Sequence, residues 1–318
     1  MNLPSAILVA ILLALPVKAQ EPPFPQKGAI ELTVLFPAGS SADVTARLLA
    51  EGMSKHLAGN VIVVNRPGAG GAIGYKHVAS QKPDGYTLVW NSNSISTTYY
   101  SGLLPFNFQA FDPVARVLVE SPVLAVRADA PWKTLSEFLA EARARPHKLT
   151  VGNSGIGSHT HISSVALFKA AGVEIVDVPY AAAQVVPSLI GGHIDAVVQL
   201  PGALSPYVNA GTVRLLAALI PKRDPALPDV PTALEQGVNV SVEAWRGVEV
   251  PHGTPAPIIA ALETAIRKSV DAPEFTRACE QLGVRPAYLP ATEFGPLIAK
   301  EDAELSTLMQ QIGLKKQP

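Results

Sequence analysis

The chain has 318 residues, of which 48% are apolar and 16% are charged, and its formal net charge is −1. This composition supplies enough apolar side chains for a large core and excludes an intrinsically disordered protein. The near-neutral charge also argues against a general nucleic-acid binder, which needs a basic face. The length is typical of one large or two ordinary domains.

The first twenty residues have the features of an export signal, because an apolar run from Ile7 to Leu15 is followed by Val17 and Ala19. These two residues suit cleavage after Ala19, and the run is too short to span a bilayer of about 30 Å. No Lys or Arg precedes the run, so a buried N-terminal helix is the alternative interpretation. We expect residues 1–20 to be a signal peptide and the mature protein to be periplasmic.

Strand and helix patterns alternate along the mature chain. The predicted strands lie at 29–36, 61–65, 86–91, 149–153, 173–180, 194–201 and 213–219. The predicted helices lie at 41–57, 72–80, 135–146, 161–172, 184–192, 255–270, 273–283 and 292–312. The initial βαβαβ series predicts an α/β protein with a parallel sheet covered by helices.

Two apolar stretches, 113–129 and 241–251, are interpreted as crossings between two lobes. Lobe 1 then comprises 21–118 plus 243–318, and lobe 2 comprises 119–242. Two lobes joined in this way leave a cleft between them, where small ligands usually bind.

The loop after the first strand contains Gly39, Ser40 and Ser41 and leads directly into the helix at 41–57. Gly39 allows close approach of the backbone, and a serine can cap the helix while other N–H groups stay free. Free N–H groups and the positive end of the helix dipole suit an anion. An ordinary capped helix start is the alternative interpretation.

The stretch VGNSGIGSHTHI, at 151–162, repeats this strand–loop–helix arrangement in the other predicted lobe. Gly155 and Gly157 free the backbone, and Ser154 and Ser158 supply hydroxyl groups. We predict that the two helix N-termini point into one cleft from opposite sides and form a shared anion site. This hypothesis requires no arginine.

Catalytic and metal-binding interpretations of the same stretch are weaker. A hydrolase nucleophile elbow requires G-x-S-x-G, but Ile156 occupies the last glycine position after Ser154. The catalytic set that can be assembled is Ser154, His159 and Asp43, which the two lobes would have to bring together. His159 and His161 have no accompanying Cys, Asp or Glu cluster to complete a metal site. We therefore expect no enzyme activity and no metal.

The segments 65–79 and 91–98 are two further candidate sites. Glycines in 65–79 follow a strand and precede a helix, but 89–96 lacks the carboxylate that a dinucleotide site needs, so no cofactor is expected. The segment 91–98 follows a strand at the edge where open α/β sheets bind ligands. Asn91 and Ser92 are therefore candidate ligand-binding residues, and a solvated loop is the alternative.

Eight segments occur in order over nearly all of the mature chain: FPAGSSADVTARLLAEGMSKHL, VVNRPGAGGAIG, KPDGYTL, GNSGIGSHTH, VPYAAAQVVPSLIGGHIDAVV, AGTVRLLAAL, LPDVPTALEQG and PHGTPAPIIAALETAI. In these segments the chain resembles the Bug family of periplasmic solute-binding proteins, the extracytoplasmic receptors of tripartite tricarboxylate transporters. The resemblance implies a two-lobe periplasmic binding protein of type II, a Venus flytrap with two crossing hinge strands.

The resemblance also implies a function. Such a receptor captures a small carboxylate, for example a di- or tricarboxylate, an acidic amino acid or an aromatic acid, and delivers it to integral membrane transporter subunits. It uses no cofactor, and a monomer is the default for this class. A ligand-sensing partner of a signalling system is the alternative function, and an exported hydrolase on the same scaffold is a further one.

In such proteins the first loop and the second-lobe loop hold a ligand carboxylate. The resemblance transfers this role to Phe36, Ala38, Gly39, Ser40, Ser41, Asp43, Asn153, Ser154, Gly155, Gly157, Ser158 and His159. Family members usually have glycine at position 40, PYKG where this chain has Tyr180 followed by three alanines, and an acidic residue at position 199. Tyr180 and Gln199 remain candidates, and Gln199 makes the predicted cleft less negative.

Overall fold

Two β-sheets with flanking helices organise the computed structural model, which describes residues 24–26 and 28–316. The predicted signal peptide at 1–20 lies outside the described residues. The strands are β1 (Ile30–Val34), β2 (Val61–Asn65), β3 (Thr87–Asn91), β4 (Phe111–Glu120), β5 (Val123–Arg127), β6 (Thr150–Asn153), β7 (Val176–Pro179), β8 (Ala196–Gln199), β9 (Val213–Ala218), β10 (Ala244–Pro251) and β11 (Arg285–Pro290).

The helices alternate with these strands. They are α1 (Ser41–His56), α2 (Ala72–Ala79), α3 (Ser94–Tyr100), α4 (Leu135–Ala144), α5 (His159–Ala171), α6 (Ala182–Ile190), α7 (Pro201–Asn209), α8 (Ala256–Val270), α9 (Pro273–Leu282) and α10 (Ala291–Gln311). Within the described ranges, none of the helices combines the length and apolar character needed to cross a bilayer.

The first sheet has the strand order β11-β4-β10-β3-β1-β2. β1 pairs in parallel with β2 and β3, as the predicted βαβαβ series requires, whereas β10 runs antiparallel to β3 and β4. Leu32, Leu88 and Trp90 from the strands are fully buried in one core with Leu49 of α1 and Leu262 of α8. Helices therefore shield the parallel strands from water.

The second sheet has the strand order β7-β6-β8-β5-β9. β6 pairs in parallel with β7 and β8, and β5 runs antiparallel to β8 and β9. Leu124 packs with Phe138 in the core on one face, and Val123 packs in a separate core with Val185 and Leu204. Because neighbouring residues of a strand point to opposite faces, these two cores cover both sides of the sheet.

The chain passes between the two sheets twice. β4 ends at Glu120 in the first sheet and β5 begins at Val123 in the second, so the stretch 113–129 supplies a strand to each sheet. The return lies in the predicted stretch 241–251, because the Val242 N–H donates to the Leu219 carbonyl oxygen just after β9, and β10 then pairs with β3 and β4 of the first sheet. The second crossing is therefore an irregular segment before β10 and not a strand shared by both sheets. The lobe boundaries at 118 and 243 stay predictions.

α3, α7 and β11 were not predicted from the sequence. The solvated-loop alternative for 91–98 is wrong, because Ser94, Ile95 and Thr97 of α3 are buried. This helix has 7 residues, mostly small and polar, so no apolar stripe marks it and packing holds it in place. α7 begins at Pro201, a position that proline favours, where the sequence prediction continued the preceding strand.

A buried carboxyl group in β10 makes the stability of the first sheet depend on pH. Glu249 is 1% exposed, and its Oε2 accepts a hydrogen bond of 2.6 Å from Nδ2 of Asn91. Its Oε1 has no partner among the described residues. Burial, with a smaller contribution from the charge of Asp112, raises the pKa of Glu249 from 4.5 to about 8, although the Asn91 hydrogen bond opposes the shift.

We expect the free energy of unfolding to fall as the pH rises from about 4.5 to about 8, because the unfolded chain releases this proton at a lower pH than the folded protein. One such proton gives a slope of up to about 1.4 kcal/mol per pH unit. Glu249→Gln removes this contribution, so urea unfolding should show a smaller loss of stability between pH 5 and pH 8 in the variant. Equal losses in both proteins would contradict the assignment.

Candidate functional site

A cavity of about 20 Å³ lies between the two sheets, where loops follow the ends of β1, β3, β6 and β8. Its wall on the side of the first sheet includes Phe36, Ser40, Ser41, Ser92, Ser94 and Arg246. Its wall on the side of the second sheet includes Ser154, Ser158, His159, Thr160, Ala182 and Gln199. A cavity of this size holds roughly one water molecule or a group of similar size.

Two helices begin at this cavity, one from each side. Ser40 caps α1 by accepting a hydrogen bond from the Asp43 N–H at 3.3 Å, and Ser158 caps α5 by accepting one from the His161 N–H at 3.2 Å. The first two N–H groups of each helix have no acceptor among the described residues: Ser41, Ala42, His159 and Thr160. These groups and the two helix dipoles give the cavity a positive potential, as the two-loop anion hypothesis requires.

A buried ion pair completes the cavity wall. Arg246 of β10 is 3% exposed, and Glu120 at the end of β4 is fully buried. Arg246 Nε donates to Glu120 Oε2 at 2.7 Å, and Ser41 Oγ donates to Oε1 of the same carboxylate. Strand register explains the pairing, since Glu120 lies opposite Ala244 and Arg246 lies two residues further along the same face.

The outer edge of the Arg246 guanidinium is available to a ligand. Neither Nη atom donates a hydrogen bond to a described residue, and the side chain lines the cavity. A guanidinium presents a planar pair of N–H groups that matches a carboxylate. Sequence reasoning missed Arg246 and Glu120, although each is a charged residue in an apolar crossing stretch. Such residues are rarely buried unless they pair, and this was the signal that could have found them.

His159 lies at the cavity in its neutral form. Burial and the positive charge of Arg246 lower the pKa of His159 from 6.5 to about 3. Its Nδ1 lies 3.3 Å from the hydroxyl of Ser163 one turn further along α5. The positive side chain at the cavity is therefore Arg246, and His159 contributes a neutral ring and a backbone N–H.

Two serine hydroxyls at the cavity, those of Ser154 and Ser92, accept hydrogen bonds from the protein. Gln199 Nε2 donates to Ser154 Oγ at 2.9 Å, and Gln199 Oε1 accepts from the Leu200 N–H at 2.8 Å. On the other wall, Ser92 Oγ accepts from the Ser94 N–H at 3.2 Å. A hydroxyl that accepts in this way can still donate its proton to an anion.

Several predicted site residues do not reach the cavity wall: Ala38, Gly39, Asp43, Asn91, Asn153 and Gly157. Ala38 and Gly39 are exposed, and the Gly39 N–H donates to Asp43 Oδ2 at 3.0 Å. Burial alone would raise the pKa of Asp43, but hydrogen bonds from Arg47, Gly39 and Asn65 outweigh it and hold that pKa below its ordinary value. Asp43 therefore braces the loop before α1.

The two predicted asparagines brace the neighbouring loops. Asn91 Oδ1 accepts a hydrogen bond of 2.6 Å from the Tyr75 hydroxyl. Asn153 Nδ2 donates to both oxygens of Asp177 at 3.0 Å, and its Oδ1 accepts from the Gly155 N–H at 3.0 Å. These contacts fix the ends of β3 and β6, from which the cavity loops start.

Gly155 and Tyr180 line a second, larger cavity of about 760 Å³, here called the vestibule. It adjoins the first cavity, because Phe36, Ser154 and Ala182 line both of them. Other residues in its wall include Pro37, Leu103, Ile156, Ala181, Ala183 and Lys316.

The part of the chain that the structure describes contains no metal or catalytic constellation at this site. None of its residues form a group of three or more His, Cys, Asp or Glu that could hold a metal ion. His159 Nδ1 pairs with Ser163 and Ser154 Oγ pairs with Gln199, so neither His159 nor Asp43 is bonded to the Ser154 hydroxyl. The hydrolase set considered from the sequence is therefore not assembled.

Comparisons with known proteins agree with the geometry. A family model described as the tripartite tricarboxylate transporter family receptor matches residues 45–314. A protein in the gbd 5′ region of Cupriavidus necator is 32% identical over 96% of this chain and 93% of its own length. Protein BugT of Bordetella pertussis is 30% identical over 90% of this chain and 90% of its own length.

Solved structures share the architecture. The TctC solute-binding protein from Polaromonas, without ligand, is 36% identical and has a TM-score of 0.67 over 91% of this chain and 99% of its own. The periplasmic binding protein BugD is 28% identical and has a TM-score of 0.86 over 92% of this chain and 99% of its own. A protein from R. palustris solved with adipate is also 28% identical and has a TM-score of 0.86 over 91% of this chain and 98% of its own.

These superpositions confirm the predicted two-lobe α/β architecture of a periplasmic binding protein. The relatives named as binding proteins also confirm that the chain is not an enzyme. With the family match over residues 45–314, they show that this chain belongs to the tripartite tricarboxylate transporter receptor family, as its resemblance to the Bug proteins predicted.

Proposed function

We propose that this chain is an extracytoplasmic receptor that captures a small carboxylate between its two lobes and delivers it to a tripartite tricarboxylate-type membrane transporter. The observation that carries the proposal is the Arg246 guanidinium, whose Nη atoms have no described partner at a cavity between the lobes. An arginine edge of this kind recognises carboxylates. The relative solved with adipate, a dicarboxylate, supports the same ligand class.

In this proposal the carboxylate is received by donors from both lobes. Arg246 supplies the charge, the N–H groups of Ser41 and Ala42 approach from α1, and those of His159 and Thr160 approach from α5. Each hydrogen bond to a charged group contributes about 1.5–3 kcal/mol. After the costs of closure and ordering, several such bonds leave about −8 kcal/mol, which corresponds to a micromolar Kd.

The remaining predicted site residues take three roles in this proposal. Those that shape the cavity wall are Phe36, Ser40, Ser92, Ser154, Ser158 and Gln199. Gly155 and Tyr180 belong to the vestibule. Those that position the loops from behind the wall are Ala38, Gly39, Asp43, Asn91, Asn153 and Gly157.

Capture also requires the lobes to open and close, because the cavity is small and its walls come from both sides. Thr97 Oγ1 of α3 donates to the Gly157 carbonyl oxygen at 2.6 Å, a contact that joins the two sides. The structure superposes better on the adipate-bound relative than on the unliganded one, with TM-scores of 0.86 and 0.67, although the unliganded protein is more similar in sequence. We infer that this is the closed form, which a ligand bridging both lobes stabilises.

We propose that the mature receptor lies in the periplasm, after export and cleavage near Ala19. The description of BugD as a periplasmic binding protein supports this location. The partners are integral membrane subunits of the transporter, and the receptor itself acts as a monomer.

Arg246→Lys tests the role of the guanidinium. Lysine keeps a positive charge beside Glu120 but loses the planar pair of donors. We expect the Kd for the tightest-binding acid in a thermal-shift panel of mono-, di- and tricarboxylates to rise by about 10- to 100-fold in calorimetry. The panel includes the neutral amides of these acids, which should not bind.

Arg267→Lys is the matched control, because that side chain is 64% exposed on α8. It should bind as the wild type does. Thermal unfolding of both variants establishes that they fold. A folded Arg246→Lys protein with wild-type affinity would contradict the proposed carboxylate contact.

Titration of His159 should not change ligand affinity near neutral pH. Its pKa of about 3 keeps the ring neutral, so the Kd for an ionised carboxylate should change by less than about twofold between about pH 6.5 and pH 8. A histidine of ordinary pKa would lose its charge across this range and weaken binding. Calorimetric titrations at three pH values measure this, and a tenfold weakening toward pH 8 would refute the neutral-ring assignment.

A further inference from the structure

The vestibule differs from the first cavity in both chemistry and size. Its wall is largely apolar and includes Pro37, Leu103, Ile156, Tyr180, Ala181 and Ala183. Ile156 is 59% exposed, although isoleucine is among the residues most often buried. Exposed apolar side chains gathered around a concave surface mark a ligand-binding surface.

The charge of the vestibule wall is also distinctive. Lys316 is the only charged residue among the described residues that line it, and its side chain is exposed. The wall therefore has no counterpart of the buried Arg246, which Glu120 and the strand register hold in place. An ionised group in the vestibule would lie against apolar side chains and lose part of its hydration.

The two cavities lie side by side, and the smaller one is the more polar. Phe36, Ser154 and Ala182 line both of them. The first cavity has a volume of about 20 Å³, whereas the vestibule has about 760 Å³. The first cavity is too small to hold more than the carboxylate of a ligand, so the adjoining vestibule is the nearest large space for the rest of the molecule.

We propose that the vestibule binds the uncharged, apolar body of the ligand, so that the ligand class is a monocarboxylate carrying an alkyl or aryl group. This rests on the proposed function, because it assigns the carboxylate end to Arg246. The three small side chains at 181–183 leave volume for such a body, and Ile156 and Leu103 supply apolar contacts from other segments of the wall.

Three acids test the proposal on the mature protein by calorimetry. Butyrate and octanoate differ only in apolar length, and octanoate and suberate differ in whether the far end carries a second carboxylate. Octanoate should bind at least about tenfold more tightly than butyrate, since each buried methylene contributes about fourfold in affinity. It should also bind about tenfold more tightly than suberate, whose second carboxylate loses hydration in the vestibule.

Ile156→Ser and Ile62→Ser form a matched pair of variants. Ile62 lies in β2, is 47% exposed and is not part of the vestibule wall, so it resembles Ile156 in exposure only. Ile156→Ser should raise the Kd for octanoate by about fivefold and leave the Kd for butyrate unchanged, because only the longer acid reaches that side chain. Ile62→Ser should leave both affinities unchanged.

The outcomes separate this inference from the proposed function. If butyrate binds and depends on Arg246, but affinity does not rise with chain length, the vestibule assignment is wrong and the carboxylate receptor stands. If suberate binds more tightly than octanoate and Lys316→Gln removes the difference, the vestibule holds a charged end and the monocarboxylate class is overturned. If no carboxylate binds, the proposed function fails and this inference fails with it.

Discussion

The buried contact between Arg246 and Glu120 is the constraint on which the site depends. Both charges lie where the chain crosses between the sheets, and both are almost completely shielded from water. Loss of either partner would leave an uncompensated buried charge, at a cost of about 3–5 kcal/mol. The carboxylate also accepts a hydrogen bond from Ser41, so it links the register of β4 and β10 to the first turn of α1. One ion pair thus orients the guanidinium and the helix N-terminus that face the same cavity.

This pair also marks the limit of prediction from sequence. The alternation of strands and helices could be predicted because the spacing of apolar residues differs between a strand and a helix. The two loops could be predicted because glycines and serines precede the helices that follow them. Glu120 and Arg246 are 126 residues apart, and only the pairing register of two antiparallel strands brings them onto one face. α3 was missed for a different reason, since a short buried helix of small polar residues has no apolar stripe.

The candidate loops illustrate a second limit. Residues that look suited to bind a ligand are often those that hold the loop in shape. The Gly39 N–H donates a hydrogen bond to the Asp43 carboxylate. The Asn153 side chain donates to Asp177 and accepts from the Gly155 N–H. These contacts use up most of the polar groups of the loops, whereas the N–H groups that stay without an acceptor at the cavity wall lie in the first turns of α1 and α5. Residue type predicted which loops form the cavity, whereas hydrogen-bond geometry was needed to separate bracing residues from those at its wall.

The division between the two cavities has a consequence for specificity. The first cavity contains one guanidinium edge, several N–H groups and a histidine that stays neutral, and each of these features suits any carboxylate. Discrimination between two acids is a difference in their binding free energies, so a feature common to both cannot supply it. In the receptor proposed here, discrimination therefore falls to the larger cavity, where shape and the cost of desolvation differ between an apolar and a charged body. Related receptors can then keep one carboxylate-binding end and select different acids through the residues that line the vestibule.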